Sequence, residues 1–245
     1  MVQEPGEGID AIVLDVGGVL LIPSPDAVAT ALAPLGIEID RTLIERAHYT
    51  GVVTLDACSG PDQAHPCYLG AFAGAFGVGG EHLAPATELL TALWADRALG
   101  RWSHHVTGSR EALRALVDDG HTVAILSNSN GTVEALLGEL GVCQVGEGDG
   151  APVRMIVDSA VVGIAKPDPR IFHLVADALG ARPERCLYVG DTVRYDVMGA
   201  RAAGFRPYHF DPHGLCASED VHPHLRSLAD LTAIVKAQTA ADSST

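Results

Sequence analysis

Short, fully apolar runs alternate with stretches of helical periodicity along most of this chain. Ile12, Val13 and Leu14 run without polar interruption, the pattern of a strand buried on both faces, and the run stops at Asp15. Gly17-Gly18 follows at once and allows a tight turn close to whatever binds there. Val19 to Ile22 are apolar again before Pro23 and Pro25 interrupt. Similar strands are predicted at Thr122 to Leu126, Val153 to Val157, Cys186 to Val189 and Arg206 to Phe210. Ser109 to Asp119, Thr132 to Leu140, Pro169 to Leu179 and Val193 to Ala203 read as helices, stopped by Gly120, Gly141, Gly180 and Gly204. Gly146 to Gly150 is a glycine and acid loop, and Leu225 to Ala237 predicts a closing helix. The alternation predicts an α/β fold, a three-layer, Rossmann-like parallel sheet with helices on both faces.

One block departs from this rhythm. From residue 24 to about 100 no parallel-strand pattern appears. Asp26 to Leu35, Arg41 to His48, Cys67 to Phe76 and Pro85 to Leu99 read as helices broken by glycine and proline. The expected organisation is a core of residues 1–22 and 103–245 with an α-helical cap, 23–102, inserted after the first strand. Ligands of doubly wound sheets bind beyond the carboxyl ends of the strands. Asp15, Ser127 and Asp191 each stand directly after a predicted strand, so they define a candidate site.

Composition narrows the choice of partners. The chain has 245 residues, 47% of them hydrophobic, enough for a substantial core. Its 31 acidic and 16 basic residues give a net charge of −15, which excludes a nucleic acid or an anionic membrane surface as the expected partner. An anionic substrate must then be met by a local cation. No stretch approaches the length of a transmembrane helix, and the N-terminus MVQEPGEGID has no signal-peptide pattern. The 5 cysteines (58, 67, 143, 186 and 216) are scattered without a CxxC pair, so reduced thiols and a cytoplasmic location are expected. His209, Asp211, His213, Cys216, His222 and His224 crowd the C-terminal part but match no zinc-site spacing, and a loop of solvated histidines is expected there. His104-His105 is expected at a hinge surface, and Phe72, Phe76, Trp94 and Trp102 as packing residues.

Taken singly, Asp15 reads equally well as a strand-terminating turn residue, while the plain readings of Lys166 and Asp196 are a solvated lysine and an exposed helix residue. Four segments in order change that weighting: LDVGGVL, ILSNS, GIAKPDPRIF and YVGDTVRYDV. Together they resemble the haloacid dehalogenase superfamily, in particular its phosphatase-like branches with a helical cap after the first strand. The resemblance extends from Ile9 to about Pro212. It implies that Asp15 is a nucleophile toward phosphorus, forming an aspartyl phosphate. Ser127, with Asn128 beside it, would bind phosphoryl oxygens, and Lys166 would hold the nucleophile and neutralise developing charge. Mg²⁺ would be bound by Asp15, the main-chain carbonyl of Gly17, Asp191 and Asp196. The implied substrate is a small phosphorylated metabolite.

Position 17 departs from the family pattern. Phosphatases of this family carry a second Asp there as general acid and base, a role usually associated with about 10²–10⁴-fold in rate. Gly17 provides only its carbonyl. That departure leaves two alternatives open, a catalytically impaired binding or regulatory protein and a 2-haloacid dehalogenase-like enzyme. The intact Gly190-Asp191-Thr192 and Asp196 favour metal and phosphate.

Overall fold

The computed structural model describes residues 8–58, 60–95, 101–217 and 221–242. Its central sheet has six parallel strands in the spatial order β10 (His224–Leu225), β9 (Arg206–Phe210), β8 (Cys186–Gly190), β1 (Ala11–Leu14), β4 (Val123–Ser127) and β7 (Met155–Asp158). In chain order the elements begin with β1 (Ala11–Leu14), β2 (Leu21–Pro23), α1 (Pro25–Leu32), α2 (Ile44–Ala57), α3 (Pro61–Gly74), α4 (Leu83–Ala95) and β3 (Trp102–His105). Next come α5 (Ser109–Asp118), β4 (Val123–Ser127), α6 (Val133–Glu139), β5 (Cys143–Val145), β6 (Ala151–Val153), β7 (Met155–Asp158) and α7 (Ser159–Val162). The chain continues through α8 (Pro169–Leu179), β8 (Cys186–Gly190), α9 (Met198–Ala202), β9 (Arg206–Phe210), β10 (His224–Leu225) and α10 (Leu228–Asp242).

Alternating strand residues feed two separate cores. Ile12, Leu14, Val123, Ile125, Leu187 and Val189 pack on one face, with Leu113, Leu116 and Leu231. Ala11, Val13, Ala124, Leu126 and Tyr188 pack on the other, with Ile171, Phe172 and Val175 of α8. The period of two in a strand sends neighbours to opposite faces, so continuous apolar runs are what a sheet covered on both sides requires. The predicted three-layer α/β core is the observed one.

The helical block α1–α4 joins the core through an antiparallel ribbon. Leu21 pairs with His105 and Ile22 with His104, so chain entry and exit lie side by side. His104 and His105 are thus half-buried members of β3. Local pattern could not reveal this ribbon, because its two strands lie about 80 residues apart and each is only 3 or 4 residues long.

Two expectations are corrected. Cys58 and Cys67 form a disulfide across the α2–α3 junction, while Cys143 and Cys186 are buried free thiols and Cys216 is half-buried. The expected set of reduced thiols, and the argument from it to a reducing compartment, therefore fails for this pair. The C-terminal histidines are not a solvated group either: His209 and His222 are buried, His224 is half-buried, and His213 is exposed as expected. Adjacent β9 and β10 draw them inward, a pairing that sequence spacing does not express. Among the described residues no helix is long and apolar enough to cross a membrane.

Candidate active site

Strand β1 lies between β4, which follows it in the chain, and β8 from the later half. This is a topological switch point, where loops leaving the strand ends diverge and open a crevice. Asp15 follows β1, Ser127 ends β4 and Asp191 follows β8. Lys166 comes from the loop before α8, and Asp196 from the π-helical turn Val193–Val197 that leads into α9. These residues, with Gly17 and Asn128, line one cavity of about 570 Å³. Every residue singled out from the sequence as catalytic, substrate-binding or metal-ligating is brought to that cavity.

Lys166 is its electrostatic centre. Its Nζ lies 2.9 Å from Asp15 Oδ2, donates to Asp196 Oδ1 at 2.7 Å and donates to the Tyr188 hydroxyl at 2.9 Å. Tyr188 in turn donates to Asp196 Oδ1 at 2.7 Å. Asn128 fixes the Lys166 backbone: its Oδ1 accepts from the Lys166 N–H at 2.8 Å and its Nδ2 donates to the Lys166 carbonyl at 3.0 Å. Both ends of the Asn128 amide are thereby committed to positioning Lys166. Asp196 Oδ2 accepts from the backbone and hydroxyl of Thr192. Asp15 is held by the Val16 N–H, which donates to its Oδ1 at 2.7 Å.

Asp15, Asp191 and Asp196 are buried, and one carboxylate oxygen from each lies within 4.8 Å of the others. Burial pushes the Asp15 carboxyl up to about 8 against the pull of Lys166, and burial with the neighbouring Asp196 raises Asp191 as well. Asp196 stays below the ordinary carboxylate value: burial opposes its ionisation, but Lys166, Thr192 and Tyr188 outweigh it. Lys166 is likewise penalised by burial, yet Asp15 and Asp196 hold it above the usual lysine value. Burial and mutual repulsion raise Asp15 and Asp191 because, with all three carboxylates ionised, the one ammonium would leave two negative charges uncompensated in a buried site. A divalent cation with oxygen ligands fits that donor set and that charge.

Several site residues had no sequence signal. His48 of α2 places Nε2 3.0 Å from Asp191 Oδ2, while its Nδ1 lies 2.9 Å from the Tyr68 hydroxyl of α3. The neutral imidazole has one donor and one acceptor nitrogen; when Asp191 is ionised, as with a cation bound, Nε2–H donates to its carboxylate and Nδ1 accepts from the Tyr68 hydroxyl. Burial lowers His48 to about 3, keeping it uncharged. Asp56, near the end of α2, accepts from the Val193 and Arg194 N–H groups at 2.7 and 2.9 Å, and Arg194 also donates to the Cys58 carbonyl. Trp102 covers position 17, where an added Cβ would lie 3.4 Å from its ring. Only Tyr188, a hydroxyl inside a buried strand, could have been suspected from sequence. His48 and Asp191 are separated by 143 positions.

The arrangement is that of a doubly wound α/β fold with a buried carboxylate at the end of its first strand. The sequence model of haloacid dehalogenase-like hydrolases matches residues 9–204, and the chain belongs to that family. It is 37% identical over 94 residues to phosphoserine phosphatase of Thermus thermophilus, covering 38% of this chain and 37% of that protein. Phosphoglycolate phosphatase 1 of Pseudomonas aeruginosa is 32% identical over 135 residues, 53% of this chain and 44% of its own. The chain thus spans less than half the length of these relatives. Among solved structures, a family hydrolase of Deinococcus radiodurans with bound phosphate and sodium aligns at TM-score 0.57 and 26% identity, covering 96% of this chain and 98% of its own. A magnesium-bound family hydrolase of Bacillus subtilis shares the fold at TM-score 0.60 and 16% identity, covering 94% and 99%.

Proposed function

We propose that this chain is a Mg²⁺-dependent phosphatase of small phosphorylated metabolites that works through an aspartyl phosphate on Asp15. The observation that carries this reading is the buried group Asp15, Asp191, Asp196 and Lys166, three carboxylates converging on one ammonium at one strand edge. The phosphate held by the Deinococcus radiodurans hydrolase supports it. Asp15, Asp191 and the Gly17 carbonyl would hold Mg²⁺, which would supply Lewis-acid neutralisation of the phosphoryl oxygens. Asp196 completes that group and anchors Lys166. The ionised Asp15 carboxylate attacks phosphorus as the bond from phosphorus to the leaving-group oxygen breaks and that group departs with its electron pair, while Lys166 orients Asp15 and offsets the charge on the transferring oxygens. Ser127 and backbone N–H groups from Asn128 onward hold those oxygens. Water then hydrolyses the acyl phosphate and restores the Asp15 carboxylate.

Gly17 brings no acid to the leaving group, and His48 Nε2 is occupied by Asp191. Leaving groups that need little protonation, acyl or anomeric phosphates, are therefore the preferred class. The helical block acts as the cap over the site: His48, Tyr68, Trp94, Arg101 and Trp102 line the same cavity as the carboxylates. Residues of this block read the part of the substrate beyond the phosphate.

The test is phosphate release from a panel of phosphoesters and acyl phosphates, with and without Mg²⁺, beside Asp15→Asn. Metal-dependent turnover that vanishes in Asp15→Asn is expected, with acyl phosphates ahead. A stable phosphoryl adduct on Asp15 without turnover would indicate that Gly17 has disabled the second half-reaction. No turnover and no adduct would favour a binding protein instead.

A further inference from the structure

At the far end of the sheet from β7, a second cluster of side chains is built like a metal centre. Strand β10 pairs in parallel with β9, and its His224 is in register with His209. His222 lies two residues before His224, so the side-chain period of two places both rings on one side. The two rings stack at 4.7 Å, and each lies 5.0 Å or less from the His209 ring. Cys216 arrives from the connecting loop, fixed because the Asp211 carboxylate accepts from the Leu215 and Cys216 N–H groups at 2.9 and 3.2 Å.

The donor atoms converge. His209 Nδ1 lies 3.0 Å from His222 Nε2, and Cys216 Sγ lies 3.9 Å from that same nitrogen. One donor atom from each of His209, Cys216, His222 and His224 falls within 4.8 Å of all the others. Tetrahedral zinc, with Zn–N near 2.0–2.1 Å and Zn–S near 2.3 Å, holds its ligand atoms roughly 3.3–3.6 Å apart. The observed separations, from 3.0 Å to no more than 4.8 Å, bracket that range.

Two further observations point to a ligand. His209 Nε2 lies 2.8 Å from the Asp191 carbonyl, which can only accept. The proton of the neutral ring is therefore on Nε2, and a lone pair on Nδ1 faces the cluster, the arrangement of a metal-ligating histidine steadied by a carbonyl. His224 has both ring nitrogens buried without a hydrogen-bond partner, its side chain 9% exposed, although Asp211 Oδ2 stands 3.4 Å from Nδ1. An imidazole left in that state costs free energy that a bound cation would remove.

We infer that His209, Cys216, His222 and His224 form a closed structural site for one Zn²⁺ ion. Three imidazoles and a thiolate suit a borderline divalent cation and differ in kind from the all-oxygen group around Asp15. The ion would pin β10, only two residues long, to β9, and through His209 it would steady the backbone at Asp191. This inference stands independently of the phosphatase reading.

The experiment uses the full chain, expressed without a histidine tag. Metal content after desalting is measured by mass spectrometry, and the metal-free chain is titrated with Zn²⁺ and Co²⁺ while circular dichroism reports folding. About one zinc per chain is expected, retained in Asp15→Asn and reduced at least roughly tenfold in occupancy in His222→Ala. The cobalt form should show tetrahedral ligand-field bands and a thiolate charge-transfer band, the latter lost in Cys216→Ser. Should His222→Ala fail to fold, Cys216→Ser and its cobalt spectrum decide the matter. A chain that takes up no zinc, or whose zinc is lost in Asp15→Asn and kept in folded His222→Ala or Cys216→Ser, overturns the inference.

Discussion

Gly18 and Asp191 touch so closely that a methyl group on Gly18 would lie 1.9 Å from Asp191 Oδ2. The same Cβ would stand 2.7 Å from His48 Nε2, and φ at Gly18 is +67°. The turn after β1 therefore admits Asp191 and His48 only because residue 18 has no side chain. Gly18→Ala should displace Asp191 and abolish metal-dependent turnover, with Mg²⁺ affinity by calorimetry falling at least tenfold. Wild-type Mg²⁺ binding in the variant would contradict the argument.

Lys166 is the one ammonium facing three buried carboxylates. Replacement by Met removes the ammonium that holds Asp196 ionised and leaves that buried carboxylate unpaired, at a cost of about 3–5 kcal/mol at pH 7. Urea unfolding without added metal should show that loss. Turnover should fall by about 10²–10³-fold, because the charge developing on the phosphoryl oxygens loses its stabiliser.

His48 should make the protein acid-sensitive. Its folded value, about 3, lies below the ordinary 6.5 because of burial, so between those limits the unfolded chain binds more protons. Stability from this group is present above pH 6.5 and is lost as pH falls through 6.5 toward 3, by about 2 kcal/mol at pH 5. His48→Gln keeps an N–H for Asp191 and does not titrate. The difference in urea midpoint between wild type and variant should therefore narrow from pH 7 to pH 5. A constant difference would assign the imidazole no titrating role.

The Cys58–Cys67 bridge closes a short loop, sequence separation 9, between α2 and α3. Reduction should destabilise the wild type by about 2–3 kcal/mol through unfolded-chain entropy. Dithiothreitol should leave Cys58→Ala/Cys67→Ala unaffected. Because Asp56 and the Cys58 carbonyl grip the Val193-Arg194 turn, weaker Mg²⁺ binding should accompany the loss of stability.

Much of this protein was legible in its sequence, and for a local reason. An apolar run of four or five residues ending in Asp15, Ser127 or Gly190-Asp191 specifies both a buried parallel strand and the group delivered at its end. Strand direction then carries all three to one edge, and Lys166 and Asp196 come in on neighbouring loops. What the tertiary structure alone decided depends on contacts between segments far apart in the chain. His48 meets Asp191, β2 meets β3, and Cys58 meets Cys67 across a junction whose residues show no pairing pattern. The histidines after β9 look like a polar loop in sequence, yet β10 folds back beside β9 and buries His209 and His222. Periodicity reports which face a side chain takes within its own element; which element lies opposite is settled only when the layers pack.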